Sequence, residues 1–112
     1  MSIQKAKELI RIEARAVADL EKRIDRNFRI AADLLKICSG RVVVSGMGKT
    51  GIIGRKIAAT FSSTGTPSVY MHSAEAIHGD LGQVTKDDVL IVISNSGETE
   101  ETIRLLPLLK RT

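Results

Sequence analysis

Ser45-Gly46-Met47-Gly48-Lys49-Thr50-Gly51 and Ser94-Asn95-Ser96-Gly97-Glu98-Thr99 are the stretches of this sequence whose side chains could do chemistry. The first has the spacing G-x-G-x-x-G, met by Gly46, Gly48 and Gly51. Glycines let a backbone approach an anion closely, and a helix starting beyond them offers free N–H groups and positive potential. Lys49 adds a full positive charge. A nucleotide P-loop is excluded, because Val43 stands where that motif needs its first glycine. A dinucleotide fold wants an acid at the end of its second strand, and that place holds Met71 and His72. A tight strand-to-helix turn with no ligand is the plain alternative.

In the second stretch the hydroxyls of Ser94, Ser96 and Thr99 gather with the Asn95 amide and Gly97. One capping residue suffices to start a helix. Several hydroxyls beside free N–H groups make a phosphate cradle. Glu98 would gain from a helix dipole in a first turn. Beside a bound phosphate, its proton affinity would rise toward that of a general base. His72 and His78 are the only histidines, both within one short span that also holds Glu75 and Asp80. A loop histidine is more often a hydrogen-bonding residue, but the ligand edge of a sheet makes His78 a catalytic candidate. A metal site needs three or more ligands, and two histidines with Glu75 or Asp80 make only a thin set.

These residues must be positioned by regular elements. Residues 3–38 carry an apolar stripe at spacings of three and four, from Ile3 and Ala6 through Ile10, Val17, Leu20, Ile24 and Phe28 to Leu35 and Cys38. One helix of that length would run ~54 Å, so a break at Asp25-Arg26-Asn27 is expected, with Asn27 capping a second helix. Gly40 is expected to terminate the helical region. Residues 41–45 form a β-branched run without polar alternation, the mark of a strand buried on both faces. Helical spacing returns over residues 50–64, with Ile53, Ile57, Ala58 and Phe61 on one side. Strands are expected over 66–71 and 88–93, a short irregular or helical stretch over 73–81, and a last helix over 98–110 strained by Pro107. The order predicts an α/β fold: a parallel sheet between helical layers, cut off after about three strands and preceded by N-terminal helices. Residues 1–112 are expected to be one partial domain, helical over 3–38 and βαβαβα over 41–112. In such a sheet both loaded loops and His72 fall at the ligand-binding edge.

Composition narrows the function classes. The sequence has 112 residues, 43% hydrophobic and 27% charged, which excludes intrinsic disorder. Its net charge of +4 arises in residues 1–41, where basic residues are interleaved with acids. With one Tyr, two Phe and no Trp there is little to stack on bases, so a solvated helical face is preferred over nucleic acid. No apolar run approaches the ~18 residues of a membrane span, and no signal peptide is visible. Cys38 is alone, which excludes an internal disulfide and points to the cytoplasm.

The residues resemble the sugar isomerase (SIS) domain family, specifically its arabinose 5-phosphate isomerases. The resemblance rests on Gly46 to Gly51, Ser62-Ser63-Thr64-Gly65-Thr66-Pro67, His78-Gly79-Asp80-Leu81-Gly82 and Ser94 to Thr99, and covers nearly the whole chain. It implies a five-stranded parallel sandwich, a homotetramer, and interconversion of D-ribulose 5-phosphate and D-arabinose 5-phosphate on the route to Kdo of lipopolysaccharide. By the same resemblance Lys49 and Glu98 stand at catalytic positions, and the ligand-edge reading adds His78 to them. The resemblance implies that Gly65, Thr66, His72 and His78 contact substrate, and the reading of the two loops adds Gly46, Gly48, Ser94, Asn95, Ser96, Gly97 and Thr99. His72 is the place for a zinc ion that turnover does not require, and no other cofactor is implied. Further catalytic residues of the family, and its paired CBS domains, would follow residue 112. A noncatalytic sugar-phosphate sensor is the alternative use of the same cradle.

Overall fold

A computed structural model describes residues 2–94, without the Asp80 side chain. The chain divides into two compact units, residues up to 33 and residues from 34 onward. In the first, helix α1 spans Ile3–Asp19 and passes into a 3-10 turn, Leu20–Arg23; helix α2 begins at Arg26 and runs to Lys36. Ser2 caps α1, its Oγ accepting the Lys5 amide at 3.1 Å. The break falls where expected, but the cap does not. Asp25 is the capping residue, its Oδ1 accepting the Asn27 amide at 2.9 Å and its carbonyl accepting that of Arg29 at 3.3 Å. Asn27 sits one turn position too late to do this, and donates instead. The charged face carries i,i+3 and i,i+4 pairs, Lys22–Asp19 and Arg29–Asp33, all well exposed. No residue of α1, the 3-10 turn or α2 is buried.

The second unit is a parallel sheet of β1 (Val42–Gly46), β2 (Ser68–His72) and β3 (Val89–Val92), in the order β2-β1-β3. Val42 pairs with Ser68 and Val89, and Gly46 with His72. Every residue of β1 is buried, as the unbroken valine run requires of a central strand covered on both sides. On one face Val43 packs with Met71, Ala76 and Leu81; these last two come from helix α4 (Ser73–Ile77) and the 3-10 turn Asp80–Gln83. On the other, Val42 and Val44 pack with Ala58 of helix α3 (Lys49–Ser63), and with Leu35, Cys38, Phe61 and Tyr70.

Ile57, Ala58 and Phe61 face the sheet as expected, but Ile53 does not. Gly51, Gly54 and Ala58 are buried, whereas Ile53 is 55% exposed. The helix lies so close to the sheet that a Cβ on Gly54 would meet the Tyr70 ring at 3.2 Å and Val44 at 3.3 Å. Small residues therefore make the closest contact, and Ile52 and Ile53 are left outside. Gly40 does not end a helix either, since α2 stops at Lys36. Its amide bonds the Asp87 carbonyl at 2.9 Å, and a Cβ there would collide with Asp88. Asp88 fixes the same corner, accepting the amides of Arg41 at 2.7 Å and Thr85 at 2.8 Å. Those two bonds hold its carboxyl below the usual aspartate range. The expected last helix, 98–110, lies outside the described residues.

Candidate functional site

The strand order makes the site. The chain passes from β1 outward to β2, then crosses back to lay β3 on the other side of β1. The loops leaving β1 and β3 therefore diverge at the C-terminal edge, the crevice where open α/β sheets take ligands. The Ile93 amide bonds the Ser45 carbonyl at 2.9 Å, so Ser94 leaves the sheet beside Gly46. Asn95, Ser96, Gly97, Glu98 and Thr99 lie outside the described residues.

Each glycine of the first loop has its own reason. A Cβ on Gly46 would come within 3.0 Å of the Thr50 backbone, so this glycine lets the strand end and helix head touch. A Cβ on Gly51 would come within 2.6 Å of the Tyr70 hydroxyl. Gly48 alone has open space above it, and it takes φ 60 and ψ −132 as the residue before α3. Thr50 Oγ1 bonds both polar groups of Met47, accepting its amide at 3.2 Å and donating to its carbonyl at 2.7 Å. The amides of Gly51 and Ile52 return to the carbonyls of Met47 and Gly48. An α-helix leaves the first amides, here those of Gly48, Lys49 and Thr50, without partners inside the helix. Lys49, the first residue of α3, is exposed there.

His72 ends β2 in register with Gly46 and begins α4, its Nδ1 accepting the Ala74 amide at 3.1 Å. His78 closes α4 and is exposed. Both histidines line one open depression with Ala74 and Glu75. Among the described residues the donor set does not fit a zinc ion. With Nδ1 accepting a backbone N–H, the neutral His72 ring carries its proton on Nε2 and has no lone pair to offer there. Among the described residues no three His, Cys, Asp or Glu side chains gather as a ligand set.

Gly65 and Thr66 do not join the site within one copy of the chain. They lie between α3 and β2, at the N-terminal edge of the sheet, while His72 ends the same strand at the other edge. The strand between them spans roughly 15 Å. Gly65 takes φ 98, and the Thr66 amide bonds the Phe61 carbonyl at 2.9 Å, the six-to-one closure that stops a helix.

Tyr70 was not singled out in the sequence, yet it organises this region. Its hydroxyl donates to the Gly46 carbonyl at 2.6 Å, and the Arg55 guanidinium stacks 4.4 Å from its ring centre. Burial raises its pKa, with Arg55 opposing and Glu75 adding to the shift, so the phenol stays a donor at neutral pH. The available signal was G-x-x-G on the helix, at the spacing that faces one large side chain.

Comparison with known proteins now adds to this geometry. The family model described as SIS domain matches residues 36–112. The arabinose 5-phosphate isomerase KdsD of Escherichia coli K12 is 56% identical over 108 residues, covering 96% of this chain and 33% of that protein. Among solved structures, the c3406 protein of E. coli CFT073, in complex with arabinose 5-phosphate, superposes with a TM-score of 0.82 at 49% identity, over 99% of this chain and 61% of that one. A Bacteroides fragilis protein named as a phosphosugar isomerase involved in capsule formation gives 0.91 at 42% identity, over 97% and 58%. The chain spans about a third of the length of the curated relatives it matches.

Proposed function

Since this chain belongs to the SIS domain family, we propose that it forms part of an aldose–ketose isomerase that interconverts D-arabinose 5-phosphate and D-ribulose 5-phosphate. The observation that carries this reading is the 56% identity to an enzyme of that name, over a stretch that includes the Gly46–Gly51 loop. The geometry supports it: Gly48 and the head of α3 present amides and Lys49 at the sheet's switch point.

The chemistry fits these residues. A base removes the C2 proton of the open aldose and the electrons form a C1–C2 enediolate; a proton passes from O2 to O1, and the carried proton returns at C1, leaving the carbonyl at C2. Glu98 is the proton carrier in this reading, with His78 and Lys49 beside the developing oxyanion. Ser94, Ser96 and Thr99 hold the phosphate, with Asn95 and Gly97 completing the cradle, and His72 offers Nε2–H to a sugar oxygen. Phosphate binding remote from the reacting carbons helps lower their barrier. No redox step occurs, and none of these roles calls on a metal. The arabinose 5-phosphate formed in the reverse direction would enter synthesis of the eight-carbon acid of lipopolysaccharide.

The protein would act in the cytoplasm as a homo-oligomer, a tetramer in the family pattern. The exposed apolar residues of α1, α2 and the segment between them, among them Ile3, Ile10, Val17, Ile24 and Phe28, support burial against a second copy. Among the described residues no helix is long and apolar enough to cross a membrane.

The deciding experiment offers arabinose 5-phosphate to the protein at its full natural length and follows ribulose 5-phosphate by NMR, with unphosphorylated arabinose as control. Turnover of the phosphate ester alone is expected. Binding of the ester without turnover would leave a sensor.

A further inference from the structure

The peptide unit joining Gly46 to Met47 is held from both sides. Its carbonyl accepts the Tyr70 hydroxyl at 2.6 Å, and its N–H donates to Thr50 Oγ1 at 3.2 Å. This unit is the first past the sheet, and everything that faces the ligand edge from this loop hangs on it: Gly48, whose φ is 60, and then Lys49. A rotation of the peptide plane would re-aim all of these together. Thr50 lies on the loop's own helix and moves with it. Tyr70 lies on β2 and is therefore the contact that ties the loop's aim to the sheet.

The surroundings are shaped around that hydroxyl. Gly51 lacks a Cβ that would stand 2.6 Å from it, while its other neighbours, the Gly46 carbonyl atoms, lie at ordinary distances of 3.4 Å or more. Gly54 makes room for the ring, and Arg55 covers it at 4.4 Å. Ring packing alone would be satisfied by phenylalanine. The glycine opposite the oxygen and the short bond to Gly46 concern the hydroxyl itself.

We propose that Tyr70 is a positioning residue of the isomerase site, whose hydroxyl pins the Gly46–Met47 peptide and thereby aims Lys49 and the helix-head amides at the sugar phosphate. The role rests on the function proposed above. It acts through Lys49, so it concerns the rate of the chemical step more than the capture of substrate.

The test compares wild type, Tyr70→Phe, Gly51→Ala and the double variant at full natural length. It measures kcat and KM for arabinose 5-phosphate, and amide hydrogen exchange over residues 47–49 and over β3. For Tyr70→Phe, kcat is expected to fall about 10-fold with KM within twofold. The Met47 amide, the hydrogen-bonded one of the three, should exchange about 5–10-fold faster while those of Leu90 and Ile91 keep their rates. Gly51→Ala should lose more, and adding Tyr70→Phe should recover part of that loss, because the methyl then meets no oxygen. Unchanged loop exchange in Tyr70→Phe, or faster exchange in β3 to the same degree, overturns the proposal. So does a kcat within twofold of an active wild type. A wild type inactive on arabinose 5-phosphate would instead overturn the isomerase reading, and loop exchange would still decide whether Tyr70 pins the peptide. If Gly51→Ala fails to fold, the Tyr70→Phe measurements decide alone.

Discussion

Ser45 and Ser73 share a hydrogen bond of 2.8 Å between their hydroxyl oxygens, with neither side chain reaching solvent. The bond joins the end of β1 to the start of α4, so the loop of Gly48 and the helix behind His72 are tied through the interior. Truncating one partner leaves a buried hydroxyl unpaired, and Ser73→Ala should cost about 1–3 kcal/mol in chemical denaturation. The double variant Ser45→Ala/Ser73→Ala should cost clearly less than the two single changes added together. Strict additivity would mean that the bond does not couple them.

Asp88 should make stability depend on pH in acid. Its folded pKa lies below the ordinary value because the amides of Arg41 and Thr85 favour the carboxylate. Its contribution is therefore complete above the usual aspartate range and fades as pH falls through that range toward the lower folded value. Asp88→Asn should be less stable than wild type at pH 7, with the gap narrowing as pH falls below about 4. Urea titrations of both proteins across that window measure it.

Lys49 stands at the wrong end of a helix for its charge, since the N-terminus of α3 carries positive potential. Lys49→Met should leave thermal stability unchanged or slightly higher, while kcat falls about 100-fold or more. A lysine kept only for solubility would show neither effect on turnover nor this contrast.

Glu98→Gln separates two readings of one carboxylate. A helix-end residue contributes only about 0.3–1 kcal/mol to stability and leaves turnover intact. A proton carrier loses about 100-fold or more in kcat with substrate still bound, because glutamine keeps size and hydrogen bonding but cannot accept the proton.

The exposed isoleucine and valine side chains of α1 predict self-association. Ile10 is 66% and Val17 67% exposed, on one stripe. Light scattering at micromolar concentration should give a mass above one chain, and Ile10→Asp with Val17→Asp should lower it. A stable monomer of the unaltered protein would contradict this.

The fold was readable where one period dominates. The valine run of β1, the end of β2 at His72 and the interruption near Asp25 follow from side-chain spacing and turn chemistry. The loop of Gly46, Gly48 and Lys49 was readable as a glycine-bearing strand-to-helix turn for the same reason. Tertiary contact decided what spacing could not. Ile53 has the helical phase of a core residue, but the close approach of α3 to Tyr70 gives the core to Gly51 and Gly54 instead. Gly40 has the composition of a helix stop but serves a strand corner beside Asp88. Gly65 and Thr66 sit within a few residues of His72 in sequence, and only the direction of β2 puts them at the opposite edge.

The central position of β1 also governs how the chain is made. Arg41, just before β1, bonds Asp88, just before β3, across 47 residues. At about 5–20 residues per second, the ribosome releases Val42–Val44 roughly 2–10 s before the strand that covers their second edge. During that interval an apolar, uncharged β segment stands with open hydrogen-bonding groups, the form in which nascent chains pair with one another. Local helices cannot close the gap, because the missing partner is distant in sequence and long-range parallel pairing forms slowly. Yield of folded protein should therefore be governed by synthesis rate and temperature more than by the stability of the finished sheet.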